Sequence, residues 1–79
     1  MVTTLTAREA CVRTELIGML AERGVPRVLA ERVQVMRSED AINPMWACRF
    51  LSERGEQYAT VEIDTTPQDI AEALLMRLA

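Results

Sequence analysis

Apolar residues in the first quarter of the chain recur every three to four positions. Val12, Leu16, Met19 and Leu20 share one stripe of a helical wheel, which Ile17, Ala10 and Ala21 widen, while Cys11, Glu15 and Glu22 fall opposite. The spacing predicts a helix over about Ala7 to Arg23. Thr6-Ala7-Arg8-Glu9 reads as a capping box, with Thr at N-cap and Glu at N3. Gly24 suits the left-handed position past the helix end, and Pro26 cannot continue it.

From Pro26 to Arg37 two periods compete. Leu29, Val33 and Met36 keep helical spacing, whereas Arg32-Val33-Gln34-Val35-Met36 also alternates with two β-branched residues. The favoured reading is a short helical turn, for which Pro26 is a suitable start, followed by a strand over about Arg32 to Arg37. A second helix stays open as the alternative. Ser38 to Pro44 reads as a loop.

Period-two alternation is clearest in Trp46-Ala47-Cys48-Arg49-Phe50 and Tyr58-Ala59-Thr60-Val61-Glu62-Ile63, on either side of Glu53-Arg54-Gly55-Glu56. A loop of two or four residues pairs Phe50 with Ala59, Cys48 with Val61 and Trp46 with Ile63, which makes one face wholly apolar. The other face then pairs Arg49 with Thr60, Ala47 with Glu62 and Leu51 with Tyr58. A three-residue loop would set Trp46 against Glu62, so the even loop is preferred. A last helix opens with Thr66 as N-cap, Pro67 at N1 and Asp69 at N3, and carries Ile70, Ala71, Leu74, Leu75 and Leu78 on one stripe.

These elements define an α+β fold: an N-terminal helix, an antiparallel sheet of two to three strands with a hairpin over about 45–63, and a C-terminal helix packed on one sheet face. The 79 residues are expected to form one compact domain, 1–79, with a single core. Each large apolar side chain buried there contributes about 1.5 to 3 kcal/mol, so every element is needed.

Composition narrows function by exclusion. The chain has no histidine, the commonest general base and nitrogen ligand for metals. Cys11 and Cys48 form no metal-binding pair, and both are expected to remain reduced in the cytoplasm. Cys48 reads as a small core residue, and Cys11 as an inert surface thiol or an intermolecular contact. No serine stands in a GxSxG turn, and the glycines form no phosphate loop. A catalytic role, a cofactor and a metal are therefore not expected. The start lacks the charged and apolar regions of a signal peptide, and no apolar run reaches membrane-spanning length.

Nine cationic residues, all arginine, face twelve acidic ones, for a net charge of −3. The arginine bias fits the codon usage of a GC-rich bacterial or phage genome. The negative charge disfavours direct nucleic-acid binding and favours a partner protein with a basic surface. Two candidate surfaces follow. The sheet face away from the helices would carry Met45, Arg49, Leu51 and Tyr58, and stays open unless a partner covers it; an ordinary half-polar sheet surface is the alternative. An acidic rim of Glu39, Asp40, Glu53 and Glu56 would steer a basic partner. Self-association through Leu51 and Tyr58, or through a free sheet edge, would make a homodimer. Trp46, the only tryptophan, is placed in the core ahead of a role as partner anchor.

The order helix, three strands, helix resembles the double-stranded RNA-binding domain from about Ala10 to Ala79. Gly24-Val25-Pro26 resembles that family's Gly-x-Pro, Asn43-Pro44 its Asn-Pro before the second strand, and Gly55 its hairpin glycine. Glu15 stands where that family's first helix offers a polar residue to RNA. The resemblance implies the fold, and it implies RNA binding only through local arginines such as Arg27, Arg32 and Arg37. Pro67-Gln68-Asp69 stands in place of the family's lysine cluster, and Ser38 to Ile42 in place of its histidine loop. In size, acidity and inferred origin the chain also resembles small phage-encoded inhibitors such as anti-CRISPR proteins. That likeness implies an acidic inhibitor or adaptor acting on a nucleic-acid-handling complex.

Overall fold

The computed structural model describes residues 7–39, 44–52, 54–63 and 65–78. Six elements follow in order: α1 (Ala7–Glu22), α2 (Arg27–Ala30), β1 (Gln34–Glu39), β2 (Pro44–Ser52), β3 (Gly55–Val61) and α3 (Pro67–Leu78). The strands form one antiparallel sheet in the order β1-β2-β3. α1 packs against α3 and β1, and α3 lies over β3 and β2. The fold is α+β, with both long helices on one face of the sheet.

Local chemistry sets each boundary. Past α1, Gly24 takes φ 95°, its N–H donates to the Ala21 carbonyl (3.0 Å), and the Val25 N–H donates to that of Leu20 (3.1 Å). These two bonds are a Schellman closure, which needs a residue free of the Cβ penalty at positive φ. The Pro26 carbonyl then accepts from Leu29 and Ala30, both at 2.9 Å, so the segment turns once as helix before β1. Both halves of the favoured reading of 26–37 are present. The strand starts at Gln34 rather than Arg32, because the Arg32 and Val33 N–H groups still bond back to Leu29 and Ala30. At α3 the Asp69 N–H donates to Thr66 Oγ1 (3.2 Å), the expected cap. Thr6, the proposed cap of α1, lies outside the described residues. Glu9, the other half of that box, accepts the Arg37 N–H of β1 at 3.2 Å.

Two sequence expectations need correction. Ser38, Glu39 and Pro44 belong to strands, with Ser38 opposite Met45 and Glu39 opposite Pro44. Ladder pairing is a main-chain property that polar residues at a strand end satisfy, and Pro44 is tolerated as the first residue of its strand. The hairpin register also differs by two residues. Trp46 pairs with Val61, Cys48 with Ala59 and Phe50 with Gln57, while Ala47 pairs with Thr60, Arg49 with Tyr58 and Leu51 with Glu56. Gly55, at φ 111°, pairs with Ser52 and closes a two-residue loop. The Ser52 hydroxyl reinforces it, accepting from the Arg54 N–H (3.2 Å) and donating to the Gly55 carbonyl (3.0 Å). The loop is even, as expected, so every side chain within β2 and β3 keeps its predicted face. Of the predicted core-face residues, Ile63 falls past the end of β3 at Val61 and is exposed.

The core lies between the helices and the inner sheet face. Val12, Leu16, Ile17 and Leu20 of α1 meet Ile70, Ala71, Leu74, Leu75 and Leu78 of α3 over Val35, Trp46, Cys48, Phe50, Ala59 and Val61. Trp46 is fully buried, and the Arg8 guanidinium stands 5.7 Å from its ring centroid. Arg8 also donates to the Thr65 carbonyl (2.8 Å), tying the start of α1 to the approach to α3.

Candidate functional site

Because α1 and α3 share one side of the sheet, no described helix covers its other face. Alternation sends Gln34, Met36 and Ser38 of β1, Met45, Ala47, Arg49 and Leu51 of β2, and Glu56, Tyr58 and Thr60 of β3 to that side. Three large apolar side chains there are well exposed: Met36 at 49%, Leu51 at 51% and Tyr58 at 62%. Met45 and Ala47 between them are half-buried by their neighbours.

A polar group organises the middle of this surface. Arg49, directly opposite Tyr58 across the β2-β3 ladder, lays its guanidinium 5.6 Å from the ring centroid. Its Nε donates to the Glu56 carboxylate, which forms a salt bridge with it. Arginine held between an aromatic face and a carboxylate loses little further freedom on contact with a partner, and both interactions strengthen when water is excluded. The open face is thus a pre-arranged patch with an ion pair and a cation-π contact at its centre.

Of the sequence-selected residues, Met45, Arg49, Leu51, Tyr58 and Glu56 come together on this face. Leu51 is diagonal to Tyr58 rather than opposite it, a consequence of the two-residue register difference. Of the acidic rim, the main-chain positions of Glu39 and Glu56 stand apart along the sheet. Glu39 pairs with Pro44 at one end of β2 and Glu56 with Leu51 near the other, roughly 24 Å apart at the rise of an extended strand. Asp40 and Glu53 lie outside the described residues. Of the three arginines named for RNA, Arg27 and Arg32 are exposed, with Arg27 3.6 Å from Glu31, and Arg37 is half-buried on the inner face.

Sequence reasoning missed Met36, and it missed the treatment of the β1 edge. Met36 belongs to the segment whose period was ambiguous, and its place on the open face follows once Val33 and Val35 point inward. Along the outer edge of β1, Arg13 Nε donates to the Val33 carbonyl (3.0 Å), and its Nη2 donates to that of Glu31. Glu9 takes the Arg37 N–H. Side chains of α1 thereby occupy hydrogen-bonding positions that an incoming strand would need.

The two thiols sit in different surroundings. Cys11 is exposed on α1, whereas Cys48 is wholly buried under the helices, and both are free. Burial pushes the Cys48 thiol up from 9.0 to about 11, against the opposing effect of a hydrogen bond from the Ala59 backbone. A thiol held protonated and out of reach is a poor nucleophile. Titration of native protein with an aromatic disulfide reagent at pH 8 is expected to modify one thiol per chain quickly and the second only in denaturant. Rapid reaction of both would place Cys48 outside the core.

Among the described residues, no three His, Cys, Asp or Glu side chains converge as metal ligands would, and no helix is long and apolar enough to cross a membrane. A shallow groove flanked by Arg23 and Arg54 and floored by Val25, Leu29, Phe50 and Leu78 brings no nucleophile together with a base. Comparison with protein-family models, with curated proteins and with solved structures finds no match to the chain.

Proposed function

We propose that the chain is a non-enzymatic interaction module that binds another protein through its open sheet face. The observation that carries this reading is the exposure of Met36, Leu51 and Tyr58 around the Arg49–Glu56 pair, on a face with no described helix over it. Apolar side chains set around an ordered ion pair have the composition of an interface centre, where aromatic residues, methionine and arginine are enriched. The net charge of −3 favours a partner with a basic surface, as a small inhibitor or adaptor of a nucleic-acid-handling complex would meet. This is the role that the likeness to anti-CRISPR proteins implies.

Met36→Asp and Leu51→Asp together test the reading, because both positions are solvent-exposed and neither contributes to the core. Affinity capture from the source cell with wild type and the folded double variant should lose the partner with the variant. Equal recovery by both proteins would remove the face from consideration. A captured partner released by raised salt would bear out the basic surface, since contacts between exposed charges are screened.

A further inference from the structure

We propose that the groove between the α1-α2 turn and the tip of the β2-β3 hairpin binds a small amphiphilic carboxylate, its acid held by Arg23 and Arg54 and its apolar body laid on Val25, Leu29, Phe50 and Leu78. The inference stands apart from the use of the open face, because the groove is built on the helix side of the sheet, where Phe50 joins the core.

Four elements bring the parts together. Val25 and Leu29, both half-buried, come from the turn after α1 and from α2, while Phe50 and Leu78, both buried, come from β2 and the last turn of α3. They form an apolar floor with polar groups around it. Arg23 follows α1 directly, Arg54 stands in the two-residue hairpin loop, and Gln57 pairs with Phe50 across the ladder. Both arginines are exposed, and Gln57 is half-buried. Neither guanidinium nor the Gln57 carboxamide has a hydrogen-bond or ion-pair partner among the described residues, and no described carboxylate lines the groove.

Charge and size select the occupant. Acidic residues outnumber arginines in this chain twelve to nine, yet two guanidiniums flank one groove with no described acid between them. Like charges on one groove repel, and an anion between them removes that cost. Each guanidinium presents a fork of donors that suits carboxylate oxygens, and the Gln57 carboxamide adds further donors beside the floor. A bare hydrophilic anion leaves Val25 and Leu29 in water, whereas an apolar body covers them. A doubly charged phosphate would shed more water next to Phe50 and Leu78 than a single carboxylate does. The groove has a volume of about 450 Å³, within the range of small-molecule sites, and its lining falls well short of the roughly 20–30 residues that each side of a stable protein interface uses.

Octanoate, a medium-chain carboxylate, is the probe. Titrated into the isotope-labelled full chain and followed by NMR, it should saturate with a Kd of roughly millimolar or tighter, moving the signals of Val25, Arg54 and Gln57 while those of Met36 and Tyr58 stay in place. Octanol, which lacks the charge, and acetate, which lacks the body, should each bind about tenfold more weakly or worse. Arg23→Gln with Arg54→Gln should weaken octanoate about tenfold and leave octanol unchanged, and Gln57→Glu, which sets a like charge in the groove, should do the same. Unchanged octanol binding shows that the floor of a variant is intact; should the double variant not fold, Gln57→Glu and the comparison of octanoate with octanol decide. Absence of saturable shifts, equal affinity for octanol and octanoate, or octanoate binding indifferent to both arginines overturns the proposal. So does octyl phosphate bound more tightly than octanoate, or an acidic peptide that occupies the groove where octanoate does not.

Discussion

Replacing Trp46 by alanine is expected to remove about 3 to 5 kcal/mol of stability, the ordinary cost of emptying a buried aromatic site. A domain of this length has roughly 4 to 12 kcal/mol in total, so the variant should be marginal or unfolded at room temperature. Trp46 is central because it is fully buried on the inner face, between Arg37 and Val61 across the two ladders, with the Arg8 guanidinium beside its ring. No neighbour can fill its volume without moving an element. Tyr58→Ala makes the informative contrast. Tyr58 is also aromatic, but it lies on the edge strand β3 and is 62% exposed on the opposite face, and its loss should cost less than about 1 kcal/mol. Urea denaturation followed by far-UV circular dichroism measures both. If the ranking were reversed, the helices would cover the face described above as open.

The contrast between those two aromatics was largely legible before any coordinates. Alternation assigns Trp46, Cys48 and Phe50 to one side, and an even hairpin loop carries the same parity into Ala59 and Val61, so the two faces follow from pattern alone. The register does not follow, because every slip of two residues preserves the alternation. What decides it is the need of Gly55 for positive φ directly after the turn, together with the Ser52 hydroxyl that closes the loop. α3 was legible in full, from the Thr66 cap to the five buried stripe residues, because its determinants are all local.

Where contacts span long separations, local patterns are silent. Glu9 meets Arg37 and Arg13 meets Val33 through the packing of α1 beside β1, and nothing in either segment announces its partner. The same limit applies to grouping Glu39 with Glu56. Glu39-Asp40 and Glu53 to Glu56 look alike as acidic stretches near turns, yet antiparallel connectivity sends Glu39 and Glu56 toward opposite ends of β2. The open face survived the register difference because it depends on parity. Its internal pairing, with Arg49 rather than Leu51 opposite Tyr58, did not.

Alkaline pH should destabilise the fold through Cys48. Its folded-state value of about 11 lies above the ordinary 9.0, and burial is the main cause. Below pH 9 the thiol is protonated in both the folded and the unfolded chain, so it adds no pH dependence and its stabilising contribution is complete. Between pH 9 and 11 the unfolded chain releases the proton while the folded chain still holds it, and stability falls as pH rises. A difference of that size amounts to about 2 to 3 kcal/mol, fully lost once pH has passed the folded value. In a Cys11→Ser background, which leaves one thiol, urea melts from pH 7 to 11 should show this decline, and additional Cys48→Ala should remove it while costing some stability at neutral pH. Because other groups also titrate in this range, the quantity to read is the difference between the two proteins at each pH. That difference should shrink, then change sign, as the alanine variant escapes the penalty. Two curves that stay parallel from pH 7 to 11 would mean that Cys48 ionises as readily in the folded chain as in the unfolded one. The helices would then not seal the inner sheet face at its centre.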